Sequence, residues 1–170
     1  MTAERNIAKI FNLTDENWLK HANPWSVWTR YSILPCIVSS LWARLWIDWW
    51  CLIPLAISLL WTFYNPILFP KPKSTKNWAS RAVFGEKIFM NRDKITLPEI
   101  HKSPIYKILN LLSGLGVLIA FISVYSYSFT GVLAGTALAY LGKSWYLDRM
   151  VWLYNDLKQN NEEYQNWEYE

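Results

Sequence analysis

The stretch ILNLLSGLGVLIAFISVY, Ile108 to Tyr125, carries no charged side chain. A helix rises about 1.5 Å per residue, so these residues alone nearly cross the ~30 Å hydrocarbon core of a bilayer. Small residues recur in it at helical spacing, as Ser113, Gly116, Ala120 and Ser123. After the short polar piece Ser126-Tyr127-Ser128 comes FTGVLAGTALAYLGKSWYL, Phe129 to Leu147, free of charge until Lys143 and carrying Gly131, Gly135 and Ala139 at the same spacing. Lipid supplies no hydrophobic drive between helices, so close backbone packing through small residues has to hold such segments together. The two stretches are therefore expected to form a helical hairpin with the small residues on its inner seam. Homodimerisation through Gly131-x-x-x-Gly135 is the alternative use.

Working toward the N-terminus, Tyr31 to Tyr64 form a second apolar block whose only charges are Arg44 and Asp48. The block is too long for one comfortable crossing and just long enough for two short ones. It reads as another hairpin, turning at ARLWID (43–48) among Trp42, Trp46, Trp49 and Trp50. A re-entrant hairpin is the alternative. Pro35 and Pro54 are expected to kink its legs. Cys36 and Cys51 lack any metal or disulfide spacing and read as small buried fillers.

Composition agrees with a membrane location. The 170 residues include 12 tryptophans, and aromatics reach 17%, an excess suited to the membrane-water interface, where an apolar ring and a polar N–H are both served. Four cations (Arg5, Lys9, Lys20, Arg30) precede the first block, nine lie from Lys71 to Lys107, and Lys143, Arg149 and Lys158 follow. With four crossings, Arg44 alone lies opposite. The positive-inside rule then places both termini in the cytoplasm of a bacterial inner membrane or its equivalent, and the basic inner face favours anionic lipid headgroups. The charged, amphipathic N-terminus lacks the apolar core of a cleavable signal.

The expected fold is all-α: an integral membrane protein of four short transmembrane helices in two hairpins. Its expected parts are an amphipathic N-terminal segment (1–24), a first hairpin (25–69), a basic cytoplasmic loop (70–104), a second hairpin (105–148) and a C-terminal helix with an acidic tail (149–170). Thr14 before Asp15 and Glu16 makes a helix start. Asn23 followed by Pro24 makes another, and the pattern recurs at Asn65-Pro66 and Ser103-Pro104. Within the loop a short helix is expected from about Lys76 to Phe84, ended by Gly85.

Three stretches, HANPWSVWTR (21–30), STKNWASRAVFGEKIFMNRD (74–93) and GKSWYLDRMVWLYND (142–156), resemble those of an uncharacterised family of small bacterial and archaeal integral membrane proteins, a domain of unknown function. The resemblance covers roughly residues 18 to 156 and leaves the acidic aromatic tail outside it. It implies a multi-span membrane protein and carries no activity.

The same stretches gather the candidate site on the inner boundary: Asn23, Arg30, Asn77, Trp78, Arg81, Glu86, Arg92, Asp148 and Arg149, with His21 as the candidate catalytic residue. Trp145, Asp148 or Arg149, Trp152 and Asp156 repeat at three to four residues and are expected on one face of a continuous helix. Ion pairs of Asp148, Asp156 and Glu86 with the arginines are expected to seat the loop. The expected function is that of an accessory, assembly or lipid-headgroup-binding protein, with the bilayer, anionic headgroups and a partner membrane protein or second copy as partners. The alternative is a small lipid-modifying enzyme using His21 as general base and an arginine fork for phosphate. No metalloprotease, di-iron, headgroup-transferase or serine-nucleophile pattern is present, so no cofactor or metal is expected. The positive-inside bias already explains the basic loop, and nucleic acid is not an expected partner.

Overall fold

The computed structural model describes residues 15–170. Thr14 and most of the amphipathic segment lie outside the described residues. The chain is helical, with no strand among the described residues. The elements are α1 (Asp15–His21), α2 (Pro24–Arg30), α3 (Ile33–Trp42), α4 (Arg44–Ile47), a 3-10 turn (Asp48–Cys51), α5 (Leu52–Leu68), α6 (Trp78–Met90), a second 3-10 turn (Glu99–Lys102), α7 (Ile105–Tyr125), α8 (Phe129–Lys158) and α9 (Glu162–Gln165). Two helical stretches, Pro24–Leu68 and Glu99–Tyr125, are long and apolar enough to cross a membrane. The uncharged part of α8, residues 129–142, is about 21 Å long at 1.5 Å per residue and falls short of that length.

Several local expectations are met and others corrected. Asn23 starts α2 as expected, its Oδ1 accepting from the Trp25 N–H at 2.9 Å. Asn65-Pro66 starts nothing: both residues lie inside α5, where a proline so near the C-terminal end forfeits only one backbone hydrogen bond. Pro35 and Pro54 each stand third in their helices. In a first turn the N–H needs no intrahelical partner, so the expected kinks have no cause there. Gly85 does not end the loop helix, because α6 runs on to Met90.

The chain divides into two compact units. Among the described residues the first comprises 15–28, Asn65–Pro104 and Tyr146–Glu170; the second comprises Thr29–Tyr64 and Ile105–Trp145. In the second unit α7 and α8 meet along the small-residue seam. A Cβ on Gly116 would stand 2.3 Å from the Ala139 nitrogen, and one on Gly135 would stand 2.5 Å from the Ala120 nitrogen. The Ser113 hydroxyl donates to the Ala139 carbonyl at 3.1 Å. The seam is thus used within the chain. Tyr127, at φ 55°, makes the turn between the two helices. Arg44 donates to the Val124 and Tyr125 carbonyls, each at 3.1 Å, and so caps α7. Its guanidinium also lies 4.7 Å from the Tyr127 ring centre.

Burial in this unit is inverted relative to a water-soluble core. Ala120 and Ala139 are enclosed, while Leu111, Leu118, Ile122 and Leu133 are more than half exposed. Cys51 is buried as expected, but Cys36 is exposed, because α3 turns it away from the small core of Val38, Ala120, Val124 and Val132.

The first unit has the ordinary arrangement, apolar side chains inward. Ala82, Val83, Phe84 and Ile88 of α6 are buried, as are Met150, Leu153 and Tyr154 of α8. Gly85 is the point of closest approach: a Cβ there would lie 2.0 Å from the Met150 carbonyl oxygen. Its absent side chain serves packing, which explains why it neither caps nor breaks the helix.

Candidate functional site

All the sequence-selected residues except Arg30 fall in the first unit; Arg30 ends α2 and is grouped with the second. Asn77 is the N-cap of α6. Its Oδ1 accepts from the Ser80 N–H at 2.9 Å, and its Nδ2 donates to the Ser74 carbonyl at 3.1 Å. The next residue, Trp78, donates its indole N–H to Asp148 Oδ1 at 3.1 Å and stacks on Trp28, with ring centres 5.5 Å apart. Asn23 ties the start of α2 to the loop, its Nδ2 donating to the Pro70 carbonyl at 2.9 Å. The Ser80 hydroxyl donates to the Ala22 carbonyl at 2.7 Å. These bonds join residues 21–28, 74–93 and 146–156 into one folded body, the first unit.

For Asp148 and Asp156 the expected pairing with arginine is replaced by another partner. Asp148 accepts from Trp78. Asp156 pairs with His101, whose Nε2 lies 2.7 Å from Asp156 Oδ2. Arg81 pairs with Glu168, a tail residue outside the expected site, and Lys158 holds the other oxygen of the same carboxylate. Burial alone would raise the Glu168 carboxyl pKa, but hydrogen bonds from Lys158 and Arg81 outweigh it and hold the group below the usual carboxylate range. Nearby Tyr154 is pushed up to about 12, by burial first and then by the Glu168 charge, with Arg81 opposing. Its hydroxyl donates to the Tyr164 carbonyl at 2.9 Å.

The tail as a whole is part of this body. Trp167 packs against Phe84 with ring centres 5.6 Å apart, under the Lys87 ammonium at 4.7 Å. Thr75 donates its backbone N–H to the Tyr169 carbonyl at 2.9 Å, and its hydroxyl oxygen accepts from the Tyr169 N–H at 2.8 Å. The only sequence signal for this closure was complementary: WEYE (167–170) offers acids and rings to a loop rich in cations. Nothing in the spacing of residues some 90 positions apart identified the partners.

Arg92 curls back on its own helix, donating to the Phe89 carbonyl at 3.0 Å. Glu86 is half-buried on α6. His21 is buried, 8% exposed, with its ring edge-on to Trp18 at 5.4 Å. The Arg149 guanidinium sits 4.3 Å from the Trp152 ring centre, and its buried Nε, like that of Arg44, has no hydrogen-bond partner. Among the described residues no group of three or more His, Cys, Asp or Glu side chains is placed to hold a metal ion.

A family model, "Family of unknown function (DUF6653)", matches residues 2–168. The chain belongs to DUF6653. The match runs through Glu168, so the acidic aromatic tail lies inside the family's extent and not outside it, in keeping with its place in the packed body. No curated protein and no solved structure matches the chain. DUF6653 carries no described activity, and the functional reading therefore rests on this chain's own physical chemistry.

Proposed function

We propose that this DUF6653 chain is an integral membrane protein of four crossings, with both termini cytoplasmic, that acts as an accessory or lipid-headgroup-binding module and not as an enzyme. The observation that carries the reading is the inverted burial of the second unit, with small residues inside and Leu111, Leu118, Ile122 and Leu133 outside. A surface of that kind is stable in hydrocarbon and a liability in water. Trp46, Trp49 and Trp50, all more than 70% exposed, supply the ring-rich rim that an interface favours. The first unit has a conventional core and several cations, which suits it to the charged side of the boundary. The burial of His21 against Trp18 supports a packing role over proton transfer.

The test uses the exposed thiol of Cys36. In intact membranes Cys36 should resist a charged, water-soluble maleimide and react after detergent solubilisation, and alkaline carbonate should leave the chain in the membrane pellet. Ready labelling of Cys36 in intact membranes together with release by carbonate would refute the embedding. Reporter fusions at each terminus test the orientation.

A further inference from the structure

Residues 161–170 are held to the first unit in the way a bound peptide is held. A core segment is fixed by side chains it buries, yet none of residues 161–170 is buried. The apolar core beneath is closed by α6 and α8 themselves, which bury Val83, Ile88, Met150 and Leu153. The tail lies over that core and is gripped from one side by Thr75, which is wholly buried and reads three main-chain groups at once. Its N–H donates to the Tyr169 carbonyl at 2.9 Å. Its hydroxyl donates to the Trp167 carbonyl at 3.0 Å and accepts from the Tyr169 N–H at 2.8 Å. Main-chain bonds of this kind supply affinity for a peptide, and the side-chain positions beside them choose among sequences.

The side-chain positions here are specific. The Trp167 ring lies against Phe84 and under the Lys87 ammonium. The Glu168 carboxylate is divided between Arg81 and Lys158. The Tyr169 hydroxyl donates to the Pro72 carbonyl at 3.1 Å, and Glu170 meets Lys76 at 2.8 Å with both side chains largely in solvent. Read in order, the groove accepts a ring, an acid, a ring and an acid, and its own contribution is cations and an aromatic floor. The tail is joined to α8 through Gln159–Asn161 alone, so its departure requires no unwinding of that helix. Departure would uncover Phe84, Thr75, Arg81 and Lys158 together.

We propose that the groove formed by residues 72–77, α6 and the end of α8 is a docking site for an acidic, aromatic segment of another protein, and that residues 161–170 fill it as an intramolecular competitor. Every residue involved lies in the first unit, so this goes beyond the accessory-module reading and does not depend on the embedding of the second unit. A competitor on a short tether acts at an effective concentration of about millimolar. Weak acidic peptides are thereby kept out, and a partner enters by fitting the same positions better.

The experiment measures binding of a fluorescently labelled peptide, NEEYQNWEYE (161–170), to the full chain in mild detergent by anisotropy. The double variant Trp167→Ala/Glu168→Gln opens the tail and leaves the groove intact. It is expected to bind the peptide about tenfold more tightly than the parent, and adding Arg81→Gln should reverse that gain. Glu168→Gln alone opens the tail more gently and should show the same order with a smaller gain, which serves as the test where the double variant does not fold. In the parent, saturating peptide should speed amide exchange of the chain's own residues 161–170.

Equal affinity of the parent and the tail-opened variants overturns the proposal. So does binding that survives Arg81→Gln, or that a scrambled peptide of the same composition matches. Peptide that binds the parent without speeding tail exchange occupies another place, and this too overturns it. A parent that is dimeric by native mass spectrometry, with the tail-opened variants monomeric, overturns the foreign partner and makes the tail of a second copy the occupant.

Discussion

Replacing Gly85 by alanine tests the packing of the first unit at its tightest point. The added Cβ would lie 2.0 Å from the Met150 carbonyl oxygen, 2.5 Å from its carbon and 2.9 Å from its Cα. An ordinary C···O contact is about 3.3 Å or longer, so α6 and α8 must part by more than about 1 Å. All three atoms are backbone within a continuous helix, and no rotamer change relieves the clash. A gap of that size forfeits a quarter to a half of the attraction at each contact it opens, here among Val83, Ile88, Leu153 and their neighbours. Overpacking of this kind costs about 3 kcal/mol, offset by about 1 kcal/mol of gained helix propensity. The net is about 2 kcal/mol, or a fall in Tm of roughly 4–8 °C for a chain of this length. Gly114→Ala is the matched control: nothing lies within 4 Å of its added Cβ, so it keeps the propensity gain and should raise Tm slightly. Thermal unfolding of the detergent-solubilised chain, followed by helical circular dichroism, reads both. A Gly85→Ala variant that melts with or above the parent would refute the close-packing argument.

Other consequences are open to measurement. Glu168→Gln should free residues 161–170 and speed their amide exchange, at a cost of about 1–3 kcal/mol for the lost charge-assisted bonds. Because the folded-state pKa of Glu168 is depressed, its contribution is present above the ordinary carboxylate pKa and is lost as pH falls below that value through the depressed one. Tail exchange in the parent should therefore rise in that acidic window, and much less so in Glu168→Gln. Trp78→Phe keeps a ring against Trp28 but removes the donor to Asp148. It should cost about 1–2 kcal/mol, with little further loss when combined with Asp148→Asn in a double-mutant cycle. Asn77→Ala removes the α6 cap and should lower stability by about 1 kcal/mol, read as a shifted denaturation midpoint.

The readings that held were those with a local cause. Asn23-Pro24 starts α2 because an amide oxygen and a proline act on backbone groups within a turn. The polar piece at 126–128 forms the turn between α7 and α8 because the apolar run stops there. The readings that changed were those where a residue has two local uses and a distant partner chooses between them. Gly85 caps a helix in one context and admits a neighbouring backbone in another, and Met150 decides. Asn65-Pro66 reads locally as a helix start, whereas Asn65 is buried and accepts from the Ser26 hydroxyl at 3.1 Å, holding the helix end in place. Arg81 finds a carboxylate as expected, but on Glu168 of the tail, and Asp148 accepts from the Trp78 indole in place of an arginine.

The sequence by itself determined the helical character, the apolar blocks, the small-residue seam and some helix boundaries, since these depend on periodicity and on contacts within a few residues. Only the tertiary structure decided that the acidic tail closes onto α6 and that Glu168 is shared by Arg81 and Lys158. The physical reason is that charge and aromatic partners are interchangeable in composition and selected by geometry. Thr75 and Tyr169 are 94 residues apart, and no local pattern encodes which of several cations or rings the folding chain will bring within reach.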